Sequence, residues 1–212
     1  GSRWGVWAVE LVSLSAASLL SFSFLRRFYG ALTAFLATGA FLLNLAFVHQ
    51  RGNVTEEYAL PFQFAAIYLL SELDRPGGKP GWRFLGIGAM LAAASSLKQP
   101  MAGTGVAIAA YLLVQYASHN RLLALARGFG QIALGFAAVW AAWFAYFALA
   151  GIFSEFWEAA FAYNVALSGI PLEKRIRALF SGMDLLYRFS GFFLAGMLAW
   201  LASIPDVFTR DD

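Results

Sequence analysis

Seven long apolar segments, separated by short polar stretches, leave this chain few ways to fold. The segments are 5–25, 30–48, 57–73, 84–100, 101–117, 128–152 and 186–207. A helix needs about 20 apolar residues to cross the hydrocarbon core of a bilayer, and most of these segments approach that length. The third and fourth are short, so we expect them to be tilted or to end in polar cavities. The pattern predicts an all-α membrane protein with about seven transmembrane helices.

The composition favours lipid, rather than water, as the solvent of this chain. Of its 212 residues, 60% are hydrophobic and 13% are charged, whereas soluble domains have about 45–50% apolar and about 25% charged residues. The net charge of +3 is modest, and the basic residues lie between the apolar segments instead of forming a stripe. A nucleic-acid partner is therefore not expected. We predict a single membrane domain over 1–212, in contact with membrane lipids.

Lysine and arginine are concentrated in alternate loops, which predicts an orientation. The loops after the first, third and fifth apolar segments hold Arg26, Arg27, Arg75, Lys79, Arg83, Arg121 and Arg127. Cytoplasmic loops of membrane proteins carry an excess of such residues. These loops are therefore predicted to be cytoplasmic. The opposite, outer face then receives the polar stretch 53–58, the corner at 97–101 and the long segment 153–185.

Two adjacent glutamates, Glu56 and Glu57, stand at the start of the third apolar segment. Asn53 and Glu56 have the spacing of a capping box, and acids at a helix N-terminus also suit the helix dipole. Alternatively, one carboxylate faces a cavity, where it orients a sugar hydroxyl or takes part in general-base catalysis. Neighbouring helix residues point about 100° apart, so we assign the cap to Glu56 and the cavity to Glu57.

Lys98 closes the fourth apolar segment and is followed by Pro100, Gly103 and Gly105. One interpretation is that its alkyl chain crosses the apolar region and its ammonium group reaches the lipid headgroups. The other starts from the proline and glycines, which interrupt the helix. Irregular backbone at membrane depth is tolerated where it lines a cavity. In that case Lys98 is a ligand for an anionic headgroup.

Segment 153–185 is long enough to hold structure on the outer face. Aromatic residues recur in it at helical spacing, with glutamates on other faces, which predicts an amphipathic helix over about 153–166 lying in the membrane interface. Three cations follow, Lys174, Arg175 and Arg177. Either they form a surface helix in contact with anionic lipid, or they bind the phosphate of a lipid-linked substrate, which suits the planar guanidinium group.

Two charged residues within or near apolar segments are further candidates. Ionisable groups inside a membrane are costly and often functional, so Glu10 and Arg188 either belong to a site or pair with each other or with Arg3. His49 has no second histidine or suitable acid at ligand spacing, and the chain has no cysteine. No cofactor and no metal site are therefore predicted, although a divalent metal ion stays open as an alternative.

Four stretches of the chain, taken in order, resemble parts of one known family. They are an arginine-rich turn at 26–30, an acidic stretch leading into a helix at 53–62, a glycine-containing helix that ends at Lys98, and an aromatic segment at 150–164. The chain thus resembles the membrane-embedded glycosyltransferases of the GT-C fold. It resembles in particular family 39 and its bacterial relatives, the protein mannosyltransferases and the lipid A aminoarabinose transferases. The likeness covers nearly the whole chain.

This resemblance implies transfer of a sugar from a polyprenyl-phosphate carrier to a protein, glycan or lipid acceptor. The reaction would take place on the non-cytoplasmic face of a bacterial inner membrane. The family's principal catalytic acid lies in an outer loop that would precede this chain, which begins at what would be the family's second helix. We therefore expect an internal fragment of a longer protein. In it, Glu57 and Glu56 support catalysis, and Lys98, Lys174, Arg175 and Arg177 bind substrate phosphate.

Two other classes of protein stay open. A secondary transporter, or a flippase for lipid-linked substrates, would place charges near the bilayer midplane on broken helices in repeated halves. Glu10, Pro61 and Pro100 fit that pattern, but the sequence has no internal repeat. A non-catalytic membrane assembly subunit would leave its outer-face charges scattered. The glycosyltransferase would be favoured if one cavity received the glutamates, Lys98 and the cations at 174–177.

Overall fold

In the computed structural model the described residues are helical, which confirms the all-α part of the predicted fold class. These are 3–48, 54–73, 80–118, 121–162, 165, 169, 171–174, 176–178, 180–181 and 198. The main helices are α1 (Arg3–Val48), α2 (Thr55–Ser71), α3 (Pro80–Leu97), α4 (Thr104–Ser118), α5 (Leu122–Leu149) and α6 (Phe153–Trp157). A 3₁₀ turn, Gln99–Gly103, joins α3 to α4, and a π-helical turn, Glu158–Ala162, follows α6.

The helices correspond to the predicted apolar segments, but α3 and α5 begin at least one helical turn earlier than expected. Helix α3 starts at Pro80 and α5 at Leu122, so Arg83 and Arg127 lie inside helices and not in loops as predicted. Proline suits the first position of a helix, because the N–H that it lacks has no partner there. In α3 and α5 the polar residues ahead of the apolar segment therefore belong to the helix. The predicted segment 186–207 lies almost wholly outside the described residues.

Gly30 divides α1 into an N-terminal and a C-terminal arm. Its φ of 80° and ψ of 170° are a combination that only glycine adopts readily. The chain turns back at this residue. Arg27 pairs with Glu72 at the far end of α2, whereas Phe41 packs edge-on against Phe64 in the middle of α2, with ring centroids 5.3 Å apart. The first two predicted helices are thus joined at one residue and not by a loop.

Contacts at the ends of α2 and α3 show that these helices are antiparallel. Glu56, in the first turn of α2, pairs with Lys98, which follows α3. At the opposite end Glu72, which follows α2, contacts Arg83 near the start of α3. We refer to these two regions as the Lys98 end and the Glu72 end of the helices.

Helices α3 and α5 pack backbone to backbone through two glycines. A Cβ atom added to Gly88 would clash with the carbonyl oxygen of Ile132, and one added to Gly135 would clash with that of Leu85. Small residues at helix interfaces allow this close approach in membrane proteins. The two glycines therefore set the separation of α3 and α5.

A small hydrophobic core lies between α2, α3, α4 and α5, and its buried members are Ala66, Phe84, Ile87, Leu91, Ile108, Leu112 and Leu125. Most residues of the long helices lie outside this core. In the described part of the chain, two helices are long and apolar enough to cross a membrane, Trp4–Leu45 and Leu122–Leu149. Only 17% of the apolar stretch of the first and 6% of the second is buried.

The chain forms two compact units, Gly1–Leu42 with Arg51–Phe153, and Leu43–Gln50 with Ser154–Asp212. The second unit contains the predicted amphipathic segment, which is helical through Ala162. Its aromatic side chains contact one another, with the rings of Trp157 and Phe161 4.8 Å apart between centroids. The aromatic spacing thus predicted a helix correctly over the residues that the structure describes.

Candidate functional site

At the Lys98 end, the side chains of Glu56 and Lys98 form an ion pair. The two residues are 42 positions apart in the chain, and the antiparallel arrangement of α2 and α3 brings them together. The Glu56 side chain is 30% exposed and that of Lys98 is 46% exposed. Two residues predicted from the sequence therefore converge, and both of their charges remain accessible from outside the protein.

Glu57 is almost fully buried, with 3% of its surface exposed. The backbone N–H of Val54 donates to its carboxylate at 3.3 Å, and its own N–H donates to the Val54 carbonyl at 3.0 Å. The predicted cap of Asn53 and Glu56 is wrong. Val54 is the N-cap residue and α2 starts at Thr55, so Glu57 occupies the third position, from which a carboxylate reaches back. The cap therefore belongs to Glu57, whereas Glu56, to which we assigned it, pairs with Lys98.

A second buried carboxylate belongs to the same region. Glu10, on the N-terminal arm of α1, is 8% exposed, and its carboxylate lies within interaction range of Tyr58, the residue that follows Glu57. The structure thus places Glu10 at the Lys98 end. The predicted partner Arg188 lies outside the described residues, as does the side chain of Arg3.

The 3₁₀ turn Gln99–Gly103 holds Lys98 in place. Pro100 cannot continue helix α3, and the N–H of Met101 donates to the Lys98 carbonyl at 2.8 Å. Gln63 on α2 donates through Nε2 to the Met101 carbonyl, also at 2.8 Å. The turn is therefore tied to α2. Sequence reasoning missed Gln63, although a polar amide inside an apolar segment was a visible signal.

The Lys98 end offers a partly exposed ammonium group paired with Glu56, and two carboxylates of the same region are shielded from solvent. Carboxylates accept hydrogen bonds from hydroxyl groups, and an ammonium group donates three. In the described ranges, no three histidine or acidic side chains come close enough together to hold a metal ion. The arrangement is therefore suited to binding an anion and orienting a hydroxyl group.

A second polar cluster, at the Glu72 end, was not predicted from the sequence. Arg27 pairs with Glu72 and donates to the hydroxyls of Tyr68 at 2.7 Å and Ser71 at 3.2 Å. Arg83, 7% exposed, donates to the main-chain carbonyl of Glu72 and lies 3.7 Å from its carboxylate. Two of the predicted cytoplasmic cations thus share one buried acid. An acidic residue beside a basic loop was the signal in the sequence.

The structure describes the predicted phosphate-binding cations at 174–177 only in part. Arg177 forms an exposed ion pair with Glu173, one helical turn away, at 3.0 Å. Lys174 is exposed as well, and Arg175 lies outside the described residues. These residues belong to the second unit, whereas Lys98 belongs to the first.

An acidic side chain of α6 is held in its charged form. The backbone amide of Glu155 and the hydroxyl of Ser154, at 2.9 Å, donate to its carboxylate and lower the pKa of Glu155 below its ordinary value. The group therefore stays ionised when the pH becomes mildly acidic. This exposed charge stands beside the aromatic contacts of the same segment, which gives the segment its amphipathic character.

Comparison with known proteins assigns no family to this chain. No family model, no curated protein and no solved structure matches it. Its function is therefore inferred from the arrangement of its own side chains and from the motif resemblance described above.

Proposed function

We propose that this chain is the membrane domain of a glycosyltransferase that moves a sugar from a polyprenyl-phosphate carrier to an acceptor on the non-cytoplasmic face. In this proposal about seven transmembrane helices place the Lys98 end at the outer surface of a bacterial inner membrane. The observation that carries the proposal is the accessible ion pair of Lys98 and Glu56 beside buried Glu57. The motif order that resembles GT-C family 39 suggests the reaction.

Exposed apolar surface supports the membrane placement. Leu149 is 90% exposed and Val106 73%, and soluble monomers rarely expose large contiguous apolar patches. Helices α2, α3 and α4 have 17, 18 and 15 residues, fewer than the roughly 20 needed to cross the hydrocarbon core. We infer that they cross it with one end opening into a polar cavity. The polar groups at the Lys98 end fit such a cavity.

The position of the charges along the helices favours a glycosyltransferase over a transporter. Transporters bind their substrates and coupling ions near the bilayer midplane, on interrupted helices. In the described helices the charged residues instead lie toward the helix ends, with Glu56 and Lys98 at one end and Arg27 and Arg83 at the other. Chemistry at one membrane surface would use the charges at the Lys98 end.

Each residue at the Lys98 end has its own role in the proposed reaction. Lys98 binds the donor phosphate when it exchanges Glu56 for the substrate, since an ammonium group is a compact charge that binds phosphate well. Glu57, fixed by the Val54 amide, accepts a hydrogen bond from a hydroxyl group and orients it. The cations at 174–177 are assigned to further phosphate contacts.

Substitutions of the two ion-pair partners should change donor use in opposite directions. Lys98→Ala should lower kcat/KM for the lipid-linked donor about 10–100-fold, because a charge-assisted hydrogen bond is worth about 1.5–3 kcal/mol. Glu56→Gln should lower the KM for the donor, since it frees Lys98 from its resident partner. The measurement is transfer of labelled sugar from a polyprenyl-phosphate donor by the full-length protein in membranes, at matched expression.

Two controls separate binding from structure in that experiment. Lys98→Arg keeps the positive charge and should retain most of the donor affinity. Glu57→Gln should lower kcat with little change in KM or thermal stability, because the glutamine oxygen still accepts from the Val54 N–H. A purely structural ion pair would make Lys98→Ala and Glu56→Gln act in the same direction. That result would remove Lys98 from the proposed site.

Cysteine labelling tests the orientation, and the absence of native cysteine makes the background low. Gly78→Cys should react with a membrane-impermeant maleimide only after the cytoplasmic side is opened. Gly169→Cys should react in intact cells, because segment 153–185 is placed outside. The measurement is the extent of labelling before and after lysis. Reversed accessibility would place the Lys98 end in the cytoplasm and contradict the proposed face of the reaction.

A further inference from the structure

We propose a second binding site, at the Glu72 end, for the phosphate of an anionic phospholipid headgroup. The site is a cavity of about 240 Å³ lined by Phe22, Ser23, Arg26 and Arg27. All four residues belong to the N-terminal arm of α1, just before the break at Gly30. The inference rests on the membrane placement proposed above, and it is independent of the sugar-transfer reaction.

The polar lining of this cavity consists of two arginines and a serine, which are residue types that bind phosphate. Ser23 precedes Arg26 by three residues and Arg27 by four, and residues at these spacings are neighbours on a helix surface. A guanidinium group presents its N–H donors in a planar fork that matches phosphate oxygens, and a serine hydroxyl adds one donor. One helix face thus places two arginines and a serine at the same volume, and the Arg27 guanidinium also contacts Tyr68 and Glu72.

The charges described at this end leave room for an anion. Arg27 and Arg83 share the carboxylate of Glu72. Within the described part of the chain, Arg26 forms no ion pair or hydrogen bond, and it is exposed beside the cavity. Three guanidinium groups are therefore matched by one carboxylate among these four residues. A phosphate bound between Arg26 and Arg27 would offset the remaining positive charge.

The apolar surroundings favour a lipid over free phosphate. Phe28 and Tyr29, directly after the arginines, are 60% and 65% exposed, and exposed aromatic residues are typical of the membrane–water interface. One to two turns before the arginines, Phe22 lines the cavity and Leu19 is 67% exposed, which gives acyl chains an apolar surface. The predicted orientation places this end at the cytoplasmic leaflet, where anionic lipids are enriched.

Arg26→Gln tests the site, because no described contact of the fold depends on this side chain. Binding of phosphatidylglycerol and of phosphatidylcholine to the purified full chain is measured by native mass spectrometry from detergent. The wild type should prefer phosphatidylglycerol, and Arg26→Gln should weaken that binding about tenfold, as the loss of one charge-assisted hydrogen bond predicts. Arg127→Gln removes the same charge from an exposed position on α5 outside the cavity and should bind like the wild type.

The source of the phosphate is distinguished in the same experiment. Millimolar inorganic phosphate should leave the bound phosphatidylglycerol in place. Displacement of the lipid by inorganic phosphate would show a free-anion site and overturn the proposal. Equal losses for Arg26→Gln and Arg127→Gln would reduce the effect to general charge attraction and would overturn it as well. Sugar transfer is assayed separately, so failure of the proposed reaction leaves this result interpretable.

Discussion

Gly135→Ala should lower the free energy of unfolding by about 3 kcal/mol or more, the upper part of the range for overpacking a well-filled interior. The added Cβ would clash with the carbonyl oxygen of Leu85 and lie 2.9 Å from its carbonyl carbon. Both atoms are backbone atoms, so no side-chain rotation relieves the clash and α3 and α5 have to separate. The measurement is unfolding of the purified chain in mixed micelles, followed by tryptophan fluorescence.

Gly130 provides the matched control on the same helix, because a Cβ added there meets nothing within 4 Å. Gly130→Ala should be neutral or stabilise the protein by up to about 1 kcal/mol, since alanine has the higher helix propensity. Gly88→Ala should behave like Gly135→Ala, because its Cβ would clash with the Ile132 carbonyl. Equal stability of the alanine variants at 130 and 135 would contradict the close approach of the two helices.

Glu72→Ala should destabilise the protein by about 3–5 kcal/mol, the range found when one partner of a buried ion pair is removed. The Glu72 side chain is 10% exposed and that of Arg83 is 8% exposed. Without the carboxylate, Arg83 keeps its hydrogen bond to the main chain of residue 72, but its charge lacks this partner in a poorly solvated position. The same unfolding measurement gives the loss.

Two comparisons identify the buried charge as the cause. Glu173→Ala removes an 83% exposed carboxylate that pairs with Arg177, and it should cost no more than about 0.5 kcal/mol. The double variant Glu72→Ala with Arg83→Met should recover part of the loss, because it also removes the buried cation. If the double variant loses more free energy of unfolding than the two single variants lose together, another contact holds this end together.

The all-α fold was predictable because a helix satisfies its own backbone hydrogen bonds, whatever surrounds it. Long apolar segments therefore indicated where the helices are. Their packing was not predictable in the same way. In the sequence Gly130 and Gly135 are equivalent glycines of one apolar segment. They differ only because α3 approaches one of them, and that depends on the relative position of two helices.

The residue types of the site were predictable. The residue at which α2 begins, which decides the role of each glutamate, was not. Glu56, Glu57 and Lys98 were singled out from their residue types, and the first and last of them do pair. The cap was misassigned because Val54 has no side-chain acceptor, so the preference for polar N-cap residues does not indicate it. A shift of one residue in the helix start exchanges the roles of two adjacent glutamates. The Glu72 cluster was missed because Arg83 was placed in a loop.

The break at Gly30 has a mechanical consequence for α1. A loop between two helices tolerates insertions and lets each helix rotate independently, but a single glycine gives no such slack. One inserted residue would rotate the following helix by about 100° and shift it by about 1.5 Å. The contact of Phe41 with Phe64 and the ion pair of Arg27 with Glu72 therefore both depend on the number of residues between Arg27 and Phe41.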